Sequence, residues 1–470
     1  MGNERHLGGS ARKLESGRIA LTVTLDGQPI TVEGTGDALD ALELQAAEQV
    51  FAEVDPVNIV WYLGGKGRKD EAMAAAARNA ARPVRPGGNG GYDLWGAATR
   101  TFLGDPDLAL KRSRISLGLG PTAPTPHRQV MQNSRDLGQD EEMLLQALVL
   151  KDVMQRRSVT LAGARTILEN AVIVAASAVG DFSGVLASPC ISLCSPAGLR
   201  QRDAEMAARL HDLALSRNQA ADAEVISGEP GMARVRYFAA METGAWQDAV
   251  AAARRYGDEI AGGVSYRGFG AANGGIAIPP RLAAIQTATM MRPLLAVALA
   301  RTGDFAGGHA AADATPSECY ACLMARGQVD GLEKNWGGAE SWFKRATAAA
   351  PSIPFAHDAW GRMLLAKGDA AGPAAQFALA AKKAPRFADA LEGWGEALMA
   401  QNRSHLAVAK FAAAAQLAPN WKRLHLKWGE ALLYSGKRDA AAKQFALAAS
   451  LPGNPADGAE LGFVRAKSGL

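Results

Sequence analysis

Cysteine is scarce in this chain, with Cys190, Cys194, Cys319 and Cys322 the only four in 470 residues. That is too few for a secreted disulfide scaffold and fits a reducing compartment. Charge of one sign is also lacking. Lys and Arg number 51 against 47 Asp and Glu, a net charge of +4. A nucleic-acid binder clusters its bases on one face or stripe. Here the densest run, Lys66-Gly67-Arg68-Lys69, reads as a solvated turn, so no nucleic-acid partner is expected. No segment reaches the roughly 18 apolar residues that cross a bilayer. The longest apolar stretch, Ala171 to Val179, stops at Gly180-Asp181, so no membrane insertion is expected. The N-terminus lacks the apolar core of a signal peptide. It also lacks the Ser or Thr at position 6 of a myristoylation signal. The expectation is a soluble, cytoplasmic protein. A strand pattern begins close to Met1, which leaves room for a longer gene product.

Motifs of chemistry are missing as well. The stretch Gly268-Phe269-Gly270-Ala271-Ala272-Asn273-Gly274-Gly275 looks like a phosphate loop only in its glycines. A dinucleotide site needs a strand before it and a helix after it. There is no Walker motif, no Gly-x-Ser-x-Gly elbow and no His-Glu-x-x-His pair, and the seven histidines are scattered. No catalytic residue, cofactor or metal is therefore assigned. The cysteine pairs leave two readings open, incidental structural thiols or a zinc or redox site built on short Cys spacings.

What the chain does have is alanine, leucine and glycine, and a repeat. Alanine favours helices and lets them approach closely. Trp360-Gly361, Trp394-Gly395 and Trp428-Gly429 recur every 34 residues. Phe343, Phe377, Phe411 and Phe445 keep the same step, as do Ala346, Ala380, Ala414 and Ala448, and Pro351, Pro385 and Pro419. Each unit then reads as a helical hairpin. The glycine admits the second helix, Gly368, Asn402 and Gly436 make the turn, and the proline ends the second helix. Trp394, Leu398 and Phe411 are expected to fill the space between neighbouring hairpins.

This pattern resembles the tetratricopeptide repeat family, whose period is 34. It departs from that family in placing the tryptophan directly before the glycine, and in Pro373, which suits the first turn of its helix. A degenerate unit runs from Tyr320 through Gly327, Ala339 and Phe343 to Pro351. Upstream, the turn signature recurs around Gly64, Gly104, Gly138, Gly180, Gly244 and Gly303. The expected fold is all-α, a right-handed α-solenoid of helical hairpins. It carries a small N-terminal β-hairpin plus helix, since Ile19, Leu21, Val23 and Leu25 alternate and Asp26-Gly27 is a hairpin turn. Asp37 or Asp40 is expected to cap the helix that carries Leu39, Leu42, Ala46 and Val50. The domains are read as 1–54, 55–318 (irregular repeats) and 319–470 (regular repeats), with loops at 83–91, 118–127 and 262–280.

The resemblance implies that first helices line a concave face where partners bind. On this sequence that face carries Asp358, Arg362, Asp389, Glu392, Glu396, Met399, Arg423, Leu426, Glu430 and Leu433. Glu392, Glu396 and Glu430 would repel a terminal carboxylate, so the chaperone-binding function of one subset of the family does not transfer. The expected role is a non-catalytic scaffold that binds a protein or peptide. The three glutamates suit a basic segment, and Met399 and Leu433 suit apolar side chains. Two other classes stay open: a sensor coupled to an N-terminal effector, and an enzyme with a pocket in the irregular stretch 183–290.

Overall fold

The computed structural model describes residues 6–83, 90–156, 162–188, 196–227, 232–266, 276–369 and 371–469. The chain divides into two compact units, residues 1–126 with 264–279, and residues 127–263 with 280–470. The boundaries expected at 54/55 and 318/319 are not where it divides.

In the first unit, strands β1 (Leu7–Lys13), β2 (Ile19–Leu25) and β3 (Gln28–Gly34) form an antiparallel sheet in sequence order. The β2–β3 hairpin turns at Asp26-Gly27, both with positive φ, as expected. β1 is an addition. It pairs Leu7 with Leu25 and Lys13 with Ile19, but all its residues are exposed, so it leaves no apolar alternation to read. Helix α1 (Leu39–Val54) lays Leu42 and Ala46 on Val32, Ile19, Leu21 and Val23. Neither Asp37 nor Asp40 caps it, because a short 3₁₀ turn, Gly36–Ala38, leads straight into it. Further helices between Asn58 and Leu119 pack around Val60, Ala76, Leu94 and Phe102. The expected loop at 118–127 is partly helix, since Pro124 and Pro126 open the helix Pro124–Asp136, where a missing N–H costs nothing. The glycine-rich stretch carries a short ribbon that pairs Val264 with Ala277, and residues 267–275 lie outside the described residues.

The second unit is a stack of antiparallel helix pairs. The regular array comprises Tyr320–Leu332 with Trp336–Ala349, Phe355–Lys367 with Gly372–Lys383, Ala388–Ala400 with Ser404–Leu417, and Lys422–Tyr434 with Arg438–Ser450, closed by Pro455–Ser468. Each first helix presents a glycine to a phenylalanine of its second helix. A Cβ on Gly395 would lie 2.6 Å from the Phe411 ring, and one on Gly429 would lie 2.4 Å from Phe445. That contact explains why glycine and phenylalanine share one period. The four phenylalanines are fully buried. Trp360, Trp394 and Trp428 pack against these cores, and Lys410 covers the Trp394 face at 3.4 Å. Pro373 sits in the first turn of its helix.

Earlier hairpins continue the stack: Pro196–Arg209 with Leu213–Ser227, Ala233–Thr243 with Trp246–Ala261, and Arg292–Arg301 with Phe305–Asp313. The run Pro280–Arg301 is one helical stretch of 22 residues, long and apolar enough to cross a membrane by length and composition. The sequence reading missed it because Arg281 and Arg292 interrupt the apolar run. Here its inner face, including Ala296, Val297 and Ala300, packs against neighbouring hairpins.

The stack winds back on itself. The Tyr320 N–H donates to the Gly138 carbonyl at 3.0 Å. Phe387 lies against Gly180, where a Cβ would stand 2.4 Å from its ring. His211 stacks on Trp421 with centroids 3.6 Å apart. Asn454 lies against Gly244. Hairpin turns of the earlier stretch thus meet, in order, the starts of first helices in the later one. A shared core joins Phe182, Val185, Met206 and Leu210 to Phe387, Phe411, Trp421 and Leu424.

Candidate binding cavity

The winding forms a half-open cavity of about 990 Å³ within the second unit. One wall is the inner face of the regular array, from which Asp358, Arg362, Asp389, Arg423 and Asp457 line the space. Most of its charges pair with one another, although one Asp358 oxygen and one Glu392 oxygen are buried without a hydrogen-bond partner. The Arg362 guanidinium donates to Asp358 at 3.1 Å, to Glu392 at 3.2 Å and to the Asp389 carbonyl at 3.1 Å. Arg423 donates to Glu396 at 2.5 Å and to Asp457 at 3.3 Å. Burial pushes the Asp358 carboxyl up to about 6 despite Arg362 beside it. Burial and the neighbouring Glu396 hold the Glu392 carboxyl well above its usual range.

The exposed acidic face expected from the sequence is therefore not there. Glu392 is fully buried between Arg362 and Arg423. Glu396 is engaged by Arg423, and Glu430 by Lys427 at 3.1 Å. Leu426 is wholly buried in a hydrophobic core, and Met399 and Leu433 pack against cores. Of the ten expected groove residues, Asp358, Arg362, Asp389 and Arg423 reach the cavity.

The opposite wall comes from the irregular stretch, where the sequence suggested a pocket only as the enzyme alternative and named none of its residues. Glu205 and Arg209 belong to Pro196–Arg209, Arg234 and Tyr237 to Ala233–Thr243, and Tyr256 to Trp246–Ala261. His211 fastens the two walls together. Its Nδ1 lies 2.6 Å from Glu242 and its Nε2 lies 3.3 Å from Asp389. Burial alone lowers an imidazole pKa, but the two carboxylates outweigh it and push His211 to about 10. The ring is thus an imidazolium near neutrality and has no free lone pair for base catalysis. His211 has φ +61°, the left-handed region usually left to glycine or asparagine. Leu210-His211-Asp212 is the Leu-Gly-Asp turn signature with histidine in the glycine place, and Asp212 caps the next helix by accepting from Leu215 N–H at 2.9 Å. A search for His-Asp in that slot would have found the turn.

The solenoid has a tetratricopeptide-like fold. Stacked antiparallel pairs with a 34-residue step and a Gly–Phe contact in each pair establish this. No protein-family model and no curated protein matches the chain in sequence. Among solved structures it is similar to yeast Tom70, at 12% identity over 92% of this chain and 96% of that one, with a TM-score of 0.40. It is similar to the Cut9–Hcn1 hetero-tetramer of the APC/C at 11% identity over 90% and 86%, with a TM-score of 0.48. It is also similar to YrrB, a TPR protein with an unusual peptide-binding site, at 16% identity over 34% and 84%, with a TM-score of 0.28. At such identities the likeness is one of fold alone.

Other chemistry is limited. Cys319 and Cys322 are joined as a disulfide at the start of Tyr320–Leu332, which removes them as zinc thiolates. Cys190 and Cys194 lie outside the described residues. His309, Asp330 and Glu333 bring three ligand atoms within 4.8 Å of one another. Those atoms are already engaged, His309 with Glu333 at 2.8 Å and Asp330 with Asn335 at 3.2 Å, so the cluster reads as a hydrogen-bonded group within the solenoid.

Proposed function

We propose that the second unit is a non-catalytic interaction scaffold that receives a segment of a partner protein in the cavity between its two walls. The observation that carries this is the cavity itself. Its volume of about 990 Å³ sits at the upper end of sites that bury a ligand, about 300–1,000 Å³. Its lining mixes aromatic side chains, Phe182, Phe238 and Phe355, with charged ones, the mixture that anchors and orients a bound chain. The apolar part of the expected partner is kept. Its basic part loses its support, because Glu392, Glu396 and Glu430 are spent on arginine and lysine within the solenoid.

The test uses Ala321, a half-buried residue on the cavity lining. Ala321→Trp fills space there, and exposed Lys443→Gln serves as control. Affinity capture followed by mass spectrometry should recover partners with the wild type and Lys443→Gln but not with Ala321→Trp. Unchanged recovery with Ala321→Trp, its helix content and melting intact, refutes the reading.

A further inference from the structure

Arg209 lies on the cavity wall with its guanidinium 4.2 Å over the Phe182 ring and 5.0 Å from the Phe238 ring. Among the described residues it makes no hydrogen bond, although a guanidinium has five N–H donors. Its nearest carboxylate, Glu205, is 4.0 Å away and is already held by Arg234 at 2.8 Å. Arg234 shares the Phe238 face at 5.9 Å and lies beside Tyr256 at 5.6 Å. Arg301 also lines the cavity, and its guanidinium, 5.4 Å over Trp246, has no ion pair among the described residues. The same wall carries Arg202, paired with Asp203, and Glu242, held by His211, which leaves Arg209 and Arg301 as its guanidinium groups with no hydrogen-bonded carboxylate among the described residues. A largely buried guanidinium without a hydrogen-bonded partner is costly, and stacking on rings leaves the N–H edges of Arg209 without protein acceptors among the described residues. Burial lowers the Arg209 pKa to about 10, and Arg234 lowers it further against the pull of Glu205. Burial and Arg362 likewise lower that of Arg301.

We propose that Arg209, Arg234 and Arg301 form an oxyanion site, so that the cavity takes a ligand carrying a carboxylate or phosphate group. The inference rests on the cavity being a binding site and adds the charge of what enters it. Guanidinium groups meet carboxylate and phosphate in bidentate geometry, and the flanking Phe182 and Phe238 rings suit an apolar body beside the charge. The oxyanion is an acidic side chain of a bound polypeptide or a free anion.

Titration calorimetry on the full chain tests it with three probes: a pentaglutamate peptide, inorganic phosphate and a pentalysine peptide. Pentaglutamate or phosphate should bind and pentalysine should not. Tight pentaglutamate with weak phosphate assigns the oxyanion to a polypeptide, and the reverse assigns it to a free anion. Arg209→Gln and Arg301→Gln should each weaken the anion at least about tenfold, whereas Lys443→Gln should leave it unchanged. Arg301 is exposed enough for its variant to fold if Arg209→Gln does not. Failure of both anions to bind, wild-type affinity in both arginine variants, or binding of pentalysine overturns the oxyanion site. Partner capture that still depends on Ala321 would in that case leave the scaffold reading standing.

Discussion

Replacing His211 with asparagine should remove one specific contribution to the pH dependence of the second unit's stability, the one lost between about 6.5 and 10. Asparagine tolerates the positive φ of this turn, so the variant removes the charge with little added backbone strain. In the folded protein the imidazole titrates near 10, against an ordinary value of 6.5, and its side chain is 13% exposed. A folded pKa raised in this way contributes stability that is fully present below pH 6.5 and disappears as pH rises through 10. At about 1.4 kcal/mol per pH unit, the interval corresponds to roughly 5 kcal/mol. That matches the roughly 3–5 kcal/mol lost when one partner of a buried ion pair is removed. The groups facing the ring are Glu242 and Asp389, with Trp421 stacked on it. Urea unfolding followed by tryptophan fluorescence at half-unit steps of pH should find the variant weaker by about 3–5 kcal/mol at pH 6.5. The two proteins should converge by pH 10. Charge changes elsewhere in the protein are common to both and cancel in the difference. A difference that stays constant from pH 6.5 to 10 refutes the assignment of an imidazolium held by two carboxylates.

Phe411→Ala should destabilise the array by roughly 3–5 kcal/mol in thermal or urea unfolding, because the ring is fully buried against Gly395. Gly180→Ala and Gly436→Ala share nearly the same backbone, φ +74° and +75°, but a Cβ on Gly180 meets Phe387 while one on Gly436 meets nothing within 4 Å. The first should therefore cost about 1–3 kcal/mol more than the second, and equal melting temperatures would contradict the wound-back contact. Glu392→Gln should cost less than Glu392→Lys, since burial and Glu396 already disfavour its carboxylate, whereas Glu392→Lys should cost about 3 kcal/mol or more by burying a third cation beside Arg362 and Arg423.

The regular hairpins were legible because each repeats the same local contact. Gly395 and Phe411 lie 16 residues apart and serve the same purpose as Gly361 and Phe377. The β2–β3 hairpin was legible from its alternation and its Asp-Gly turn. What escaped was not local. His211 and Asp389 are 178 residues apart, and Asn420 and Asp212 are 208 apart, so no periodicity announces their meeting. The inward turn of the acids had a faint signal. Asp389, Arg423 and Asp457 occupy one repeat position and alternate in sign, and at another Arg362 and Glu396 are opposite before Glu430 repeats the acid. Read along the 34-residue step, such alternation implies pairing between neighbouring hairpins instead of a face left for a partner.

An open stack of helix pairs frays from its ends, each pair answering only to those beside it. The meeting of Gly244 with Asn454, and of His211 with Trp421, gives this one a different mechanical character. Pulled from its last helix, it would not uncoil like a spring. It would resist until the far seam gave way, then release many hairpins together, so damage at the tail would loosen helices two hundred residues upstream.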